Sequence, residues 1–226
     1  MKAGSAGWWK ARYAALARQR PRAGGLELGR ITEVALRIVD GEGLAALTMR
    51  RVAEEMGVRH TSLYRHVASR DELLVELVDH VLGEVRPAES GKGWRADAEQ
   101  SAWDFRRVLL GHPAIVPLLT AGQLLGPNAL RARETGLGLL ISAGWKPSQA
   151  VQIYLTVTHF VIGTALLGTG GAARGAGERT AMTDLFAGLP QYPLVRELAV
   201  PLNLPDGDQE FRFGLTALLD GIGDPR

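Results

Sequence analysis

The sequence predicts an all-α fold, and three observations carry that prediction. Apolar residues recur at the three- and four-residue spacing of one helical face in most segments that are not rich in glycine or proline. No run alternates apolar and polar residues as a half-buried strand does, and the breaks between runs carry helix caps and stops. With 226 residues, 46% of them hydrophobic, the chain is long enough for one large or two modest domains around a real core.

Residues 1–25 read as a basic arm holding Lys2, Lys10, Arg12, Arg18, Arg20 and Arg22, closed by Ala23-Gly24-Gly25. Trp8, Trp9, Tyr13 and Leu16 fit a short amphipathic helix that packs on the body or reaches into a DNA groove; a disordered basic tail is the competing reading. Over residues 26–40, Ile31, Val34, Ala35, Ile38 and Val39 mark a first core helix, stopped at Gly41-Glu42-Gly43. Thr48 is a good N-cap for a second helix from Met49, whose inner face is Val52, Ala53 and Met56. Gly57 supplies the left-handed turn that ends it, and Val58 plugs the corner. A further helix, over about 60–67, turns Leu63 and Val67 inward and leaves Thr61, Ser62, Tyr64, Arg65 and His66 outside. Ser69 and Glu72 form a capping box that opens a long helix ending before Pro87.

Together these pieces make a helix-turn-helix module with a connecting helix over residues 26–88. Glu89-Ser90-Gly91-Lys92-Gly93 reads as a linker, and residues 93–226 as a second helical domain. In that domain Ala98, Ala102, Phe105 and Leu109 share a face ended by Gly111-His112-Pro113; a short piece runs to about 120, and Pro127 opens a helix to Ser142. Residues 148–167 are apolar nearly all round, as in a helix buried on several sides. Gln152, Thr156, Thr158, His159 and Thr164 interrupt that stretch and argue against a membrane span. Residues 168–177 read as a glycine- and alanine-rich loop, short pieces flank Pro190 and Pro193, and a last helix follows Asp208.

Charge divides the chain more sharply than its net +2 suggests. Residues 1–70 hold 13 Lys/Arg against 6 Asp/Glu, whereas residues 71–226 hold 13 against 18. The outer side of the helix over about 60–67 and its approach carry Arg59, His60, Arg65, His66 and Arg70, with no acid between Arg59 and Ser69. A merely solvated face mixes signs, so a one-signed face on this motif points to DNA.

Catalytic and metal chemistry find no support. There is no cysteine, which excludes disulfides and thiolate metal sites, and neither His-Glu-x-x-His nor Gly-x-Ser-x-Gly occurs. The histidines at 60, 66, 80, 112 and 159 lack metal-ligand spacing. Gly168-Thr169-Gly170-Gly171-Ala172-Ala173 resembles a dinucleotide fingerprint, but it follows a helix-length run where that motif needs a strand. The expectation is therefore a non-enzymatic protein without cofactor or metal. With no signal peptide in the sequence, the expected location is the cytoplasm. A ligand-binding helical enzyme and a sequence-independent DNA packager are the competing classes; the missing catalytic set argues against the first and the separate apolar domain against the second.

Leu47-Thr48-x-Arg50-x-Val52-Ala53, Gly57-Val58, Ser62-Leu63-Tyr64-x-His66-Val67 and Asp71-Glu72-Leu73-Leu74 together resemble the DNA-binding domain of TetR-family repressors. Phe105-Arg106-x-x-Leu109-Leu110, Gly144-Trp145, His159-Phe160-x-x-Gly163 and Phe213-Gly214-Leu215-x-x-Leu218-Leu219-Asp220-Gly221 are similar to the C-terminal domain of the tetracycline-repressor subgroup. The resemblance implies a homodimer, joined through a four-helix bundle, whose two N-terminal modules enter major grooves of a palindromic operator. It implies DNA contacts at Thr48, Arg50, His60, Thr61, Ser62, Tyr64, Arg65, His66 and Arg70. Of these, Thr48, Tyr64, His66 and Arg70 suit phosphates, and Arg50, His60, Thr61 and Arg65 suit bases. Where the tetracycline repressor holds drug and magnesium with two histidines and a glutamate, the matching positions carry Arg86, Leu119 and Leu167. The expected effector is therefore a different, largely apolar small molecule. Its candidate lining is Phe105, Leu109, His112, Leu119, Tyr154, Thr158 and His159.

Overall fold

A computed structural model describes residues 2–16, 28–86, 88, 90–120, 122, 124–172, 175–203 and 207–225; the expected glycine break at 23–25 and the stop at Pro87 lie outside them. Among the described residues the chain is helical throughout and has no strand. The helices are α1 (Ala6–Leu16), α2 (Leu28–Glu42), α3 (Met49–Met56), α4 (His60–Leu63), α5 (Arg70–Leu82), α6 (Trp94–Gly111) and α7 (Val116–Leu119). They continue with α8 (Pro127–Ser142), α9 (Pro147–Ala172), α10 (Ala176–Ala187), α11 (Pro193–Glu197), α12 (Ala199–Asn203) and α13 (Gly207–Ile222). A 3₁₀ turn at Leu44–Ala46 joins α2 to α3.

Helices α2, α3 and α4 form the N-terminal module around Ile31, Val39, Leu47, Val52 and Leu63, all buried. Helix α5 closes that module through Leu73 and Leu77 and packs its other side on α6, α7 and α8. In the second half α9 is the central element, contacting α6, α7, α8 and α13. Side chains are small where helices approach most closely. A Cβ on Gly136 would strike the Tyr154 ring, and one on Gly214 would strike Phe160. Phe160 in turn stacks on Phe211, with ring centroids 5.3 Å apart. Helices α10, α11 and α12 pack chiefly on one another and leave Leu185, Leu194, Leu198, Val200 and Leu202 exposed.

Several boundaries differ from the sequence reading. The α-helical part of the recognition element is confined to α4, and His66 N–H bonds Leu63 C=O three residues back at 2.8 Å, so its last turn tightens. The connecting helix ends at Leu82 on Gly83 rather than reaching Arg86. Helix α9 continues to Ala172 through the glycines expected to form a loop, because propensity costs only about 1 kcal/mol per glycine and an existing helix propagates more easily than it starts. Its expected burial on several sides is also incomplete. Residues Pro147–Thr169 have the length and hydropathy of a membrane span, with 22% of their most apolar window buried.

The N-terminal arm folds as α1 against the body. Trp9 is 2% exposed, Arg12 pairs with Glu76 at 2.7 Å, and the Tyr13 hydroxyl donates to Leu125 C=O at 2.8 Å. Beside it lies the main joint between the two halves. Asp79 on α5 accepts from the first backbone N–H groups of α8, Asn128 at 3.1 Å and Ala129 at 2.9 Å, and is 7% exposed. Helix α8 thus receives across space the anionic cap that no local side chain supplies. Burial pushes the Asp79 carboxyl above its ordinary range although these N–H bonds pull the other way. Gly126 permits the approach, since a Cβ there would overlap the Asp79 carboxylate.

Asp79→Ala leaves two buried N–H groups unpaired, and the expected loss is about 1 to 3 kcal/mol in urea unfolding. Gly126→Ala is expected to lower the urea midpoint as well, by forcing the carboxylate off the helix end. The raised carboxyl sets a sign for pH. Between the ordinary aspartate range and the raised value the folded state binds more protons than the unfolded one, so stability falls as pH rises through that window. Asp79→Asn removes this dependence, and the two stability curves run parallel below the ordinary range.

Candidate functional site

The DNA-facing surface is built on two caps and a buttress. Thr48 accepts from the Arg51 N–H at 3.0 Å and starts α3, while Gly57, at φ 66 and ψ 28, ends it in the left-handed region. The Val58 N–H then bonds Ala53 C=O at 3.0 Å, which turns the chain into α4. Ser69 caps α5 as the sequence predicts, its hydroxyl accepting from Glu72 N–H at 3.2 Å, while the Glu72 carboxylate reaches one residue further back than a capping box requires and accepts from Ala68 N–H at 2.9 Å. Thr48, Arg50, His60, Thr61, Tyr64 and Arg65 are exposed together on this end, and Ser62 and His66 are half-buried. His60 and Tyr64 meet edge to face with centroids 5.9 Å apart.

Two arginines have partners that the sequence did not reveal. Arg50 pairs with Glu54 at 2.7 Å, yet its side chain is 86% exposed, so the pair is open to exchange for another acceptor. Arg70 is half-buried, and its guanidinium donates from Nε to Leu47 C=O at 2.7 Å and from Nη2 to Leu44 C=O at 2.8 Å. That bracing holds the 3₁₀ turn that delivers Thr48. Arg51, unmarked by the sequence reading, is clamped between Glu42 at 2.9 Å and Glu55 at 2.8 Å and ties α3 to α2.

In the second half the helices enclose a cavity of about 620 Å³. Of the seven residues expected to line it, Phe105, Leu119, Tyr154, Thr158 and His159 do. Leu109 does not: it is fully buried in the helix packing behind the wall, and a helical repeat marks an inward face without separating core from cavity. His112 is displaced further. Its Nδ1 lies 2.8 Å from Asp40 Oδ2 at the end of α2 and its Nε2 lies 3.2 Å from Glu84 Oε2 just after α5, so it fastens the end of α6 to the N-terminal module. Those partners are 72 and 28 residues away, beyond any local pattern.

The positions matched to the tetracycline and magnesium ligands also separate. Leu119 lines the cavity, Leu167 is 77% exposed outside it, and the Arg86 backbone N–H donates to Asp104 at 2.6 Å. Among the described residues no group of three or more His, Asp or Glu is placed to hold a metal. The wall includes residues the sequence reading passed over: Leu82 at the end of the connecting helix, Val85 just beyond it, Ser101, Thr120 and Arg133. Arg133 sits in Arg131-Ala132-Arg133-Glu134, which reads as an ordinary charged helix face.

Comparison with known proteins gives this architecture a family. Residues 31–77 match the family described as bacterial regulatory proteins, tetR family, and residues 86–224 match the tetracyclin repressor-like C-terminal domain. An HTH-type transcriptional regulator of Saccharopolyspora erythraea is 38% identical over 60% of this chain, which spans 58% of that protein. The HTH-type transcriptional repressor DrrR1 of Streptomyces coeruleorubidus is 34% identical over 87% of this chain and 77% of its own length. The structure of Streptomyces coelicolor ActR in complex with actinorhodin superimposes with a TM-score of 0.78, at 32% identity, over 88% of this chain and 97% of that one. The chain belongs to the TetR family of transcriptional regulators, pairing an N-terminal helix-turn-helix with a ligand-binding C-terminal domain, and is not an enzyme.

Proposed function

We propose that this chain is a homodimeric repressor that leaves a palindromic operator when a small, largely apolar effector other than magnesium–tetracycline enters the cavity. One observation carries the reading: Leu82, the last residue of the connecting helix, and Val85, just beyond it, form part of the cavity wall. A molecule filling the cavity therefore presses on the helix that carries the DNA module. Only an effector that fits one placement of α5 better than the other shifts operator affinity, and that difference is the coupling free energy. The volume suits a drug-sized ligand. ActR holding actinorhodin supports the use of this domain for such a ligand. Arg86, Leu119 and Leu167, in place of the tetracycline ligands, speak for a different effector. The exposed apolar residues of α10 to α12 support burial against a second copy.

On this reading residues 26–88 read DNA and residues 93–226 bind the effector and the partner chain. Arg50, His60, Thr61 and Arg65 face bases; Thr48, Ser62, Tyr64 and His66 hold the backbone in register. Arg70 is assigned a positioning role in place of the expected phosphate contact, because its Nε and Nη2 are already engaged by carbonyls. The test is binding of the purified chain to short palindromes taken from the DNA flanking its own gene. A sequence preference over random duplex at physiological salt, with two chains per site, is expected; binding without preference or as a monomer sinks the proposal.

Two substitutions sharpen it. Arg50→Ala is expected to relax discrimination at one operator position by about 1 to 3 kcal/mol, measured on a panel of single-base operator variants. Uniform weakening across the panel reassigns Arg50 to a phosphate. Arg70→Ala is expected to weaken operator binding and also to lower module stability by about 1 to 3 kcal/mol, since Leu47 C=O loses its Arg70 donor and Leu44 C=O keeps only the Leu47 N–H. An unchanged melting temperature with weakened binding returns Arg70 to the DNA backbone.

A further inference from the structure

The cavity is electrostatically one-sided. Among the described residues of its wall the ionisable groups are Arg133 on α8 and Tyr154 and His159 on α9, with no aspartate or glutamate. Arg133 is half-buried, and among the described residues it has neither a hydrogen bond nor an ion pair. Its neighbours on α8 behave differently: Arg131 donates to Asn128 at 2.8 Å, and Glu134 is exposed and outside the wall. The other arginines that enter packed surroundings here all find acceptors, Arg12 on Glu76, Arg70 on two carbonyls and Arg106 on Asp208. A guanidinium partly withdrawn from water without an acceptor costs free energy until something supplies one, and its planar fork matches a carboxylate.

Around that cation the wall is apolar or neutral. Phe105, Leu139, Tyr154 and Ile162 offer flat and branched surfaces, and Ser101, Thr120 and Thr158 offer hydroxyls that serve either sign. A cationic ligand would meet a like charge and no counter-ion; a neutral one could offer Arg133 only uncharged acceptors, whose hydrogen bonds are about half as strong as those of a carboxylate.

We infer that the effector is an organic anion, an apolar ring-bearing body with a carboxylate or comparably acidic group that Arg133 receives. This rests on the reading of the cavity as the effector site. Arg133 thereby selects the class of ligand, while the apolar wall supplies contact area.

The test is a fluorescence titration of the full chain with two probes of the same size and shape, the anionic anthracene-2-carboxylate and the neutral anthracene-2-carboxamide. Wild type is expected to bind the carboxylate about tenfold or more tightly than the amide. Arg133→Gln is expected to reduce carboxylate affinity to that of the amide and to leave the amide unchanged, and Arg133→Lys to retain part of the preference. Equal affinity for the two probes in wild type, or a preference that survives Arg133→Gln, overturns the anion assignment alone. A separate variant, Thr158→Trp, fills the cavity. Binding of both probes that is unaffected by Thr158→Trp, or no binding of either probe to wild type, overturns the cavity reading beneath it.

Discussion

The contact on which the rest of this molecule depends is the Asp79 carboxylate against the first turn of α8. A helix N-terminus presents unpaired N–H groups and a positive end, and α8 has no capping side chain of its own at Gly126. Asp79 comes from a different helix and sits where Gly126 leaves room for it. Loss of either partner would strand polar groups in a buried place, so α5 and α8 have one shared register. Because α5 carries the N-terminal module and α8 carries part of the cavity wall, that register transmits position between the two halves.

His112 adds a second fastening with a different character. It stands beyond the end of α6 and reaches Asp40 and Glu84, each partly open to solvent. Exposed polar contacts of this kind are worth little individually and exchange readily, whereas the Asp79 joint is buried. The module is therefore held by one firm contact from the last turn of α5 to α8 and one adjustable contact just beyond the α5 end. On the proposed reading, a ligand pressing on Leu82 and Val85 acts at the adjustable end. A small displacement there pivots α5 about its buried attachment.

What could be read in the sequence follows the range of the interactions involved. Thr48, Gly57 and the Ser69 cap act within four residues of themselves, and each forms as predicted. Helix placement was legible because the apolar repeat is local, and the family resemblance rests on such local groups in fixed order. Leu109 and Phe105 lie on one turn of the same helix, yet one packs in the core and the other faces the cavity, a distinction set by helices α7 to α9 rather than by α6. The partners of Arg70 and His112 escape a local reading for a related reason: they lie 23 to 72 residues away. Arg133 went unnoticed because an arginine beside a glutamate on a helix usually marks solvent, and only the closure of α6, α8 and α9 turns it inward.

The same physics explains why the arm is folded down. Glu72, Glu76 and Asp79 recur at four- and three-residue spacing, so they form one acidic stripe along α5. Glu72 accepts from the Trp8 indole at 3.0 Å as well as from the Ala68 N–H, Glu76 pairs with Arg12, and Asp79 caps α8. Burial raises both Glu76 and Asp79, and nearby acids raise Glu76 further, so the stripe is costly without partners. Helix α1 supplies an indole and a guanidinium to two of the three acids and ties Tyr13 to the carbonyl of Leu125, immediately before Gly126. The arm's basic residues thus serve, in part, an internal anion. Its attachment braces the same α5–α8 joint from a third side, which places α1 beside that joint rather than with the exposed face of the helix-turn-helix.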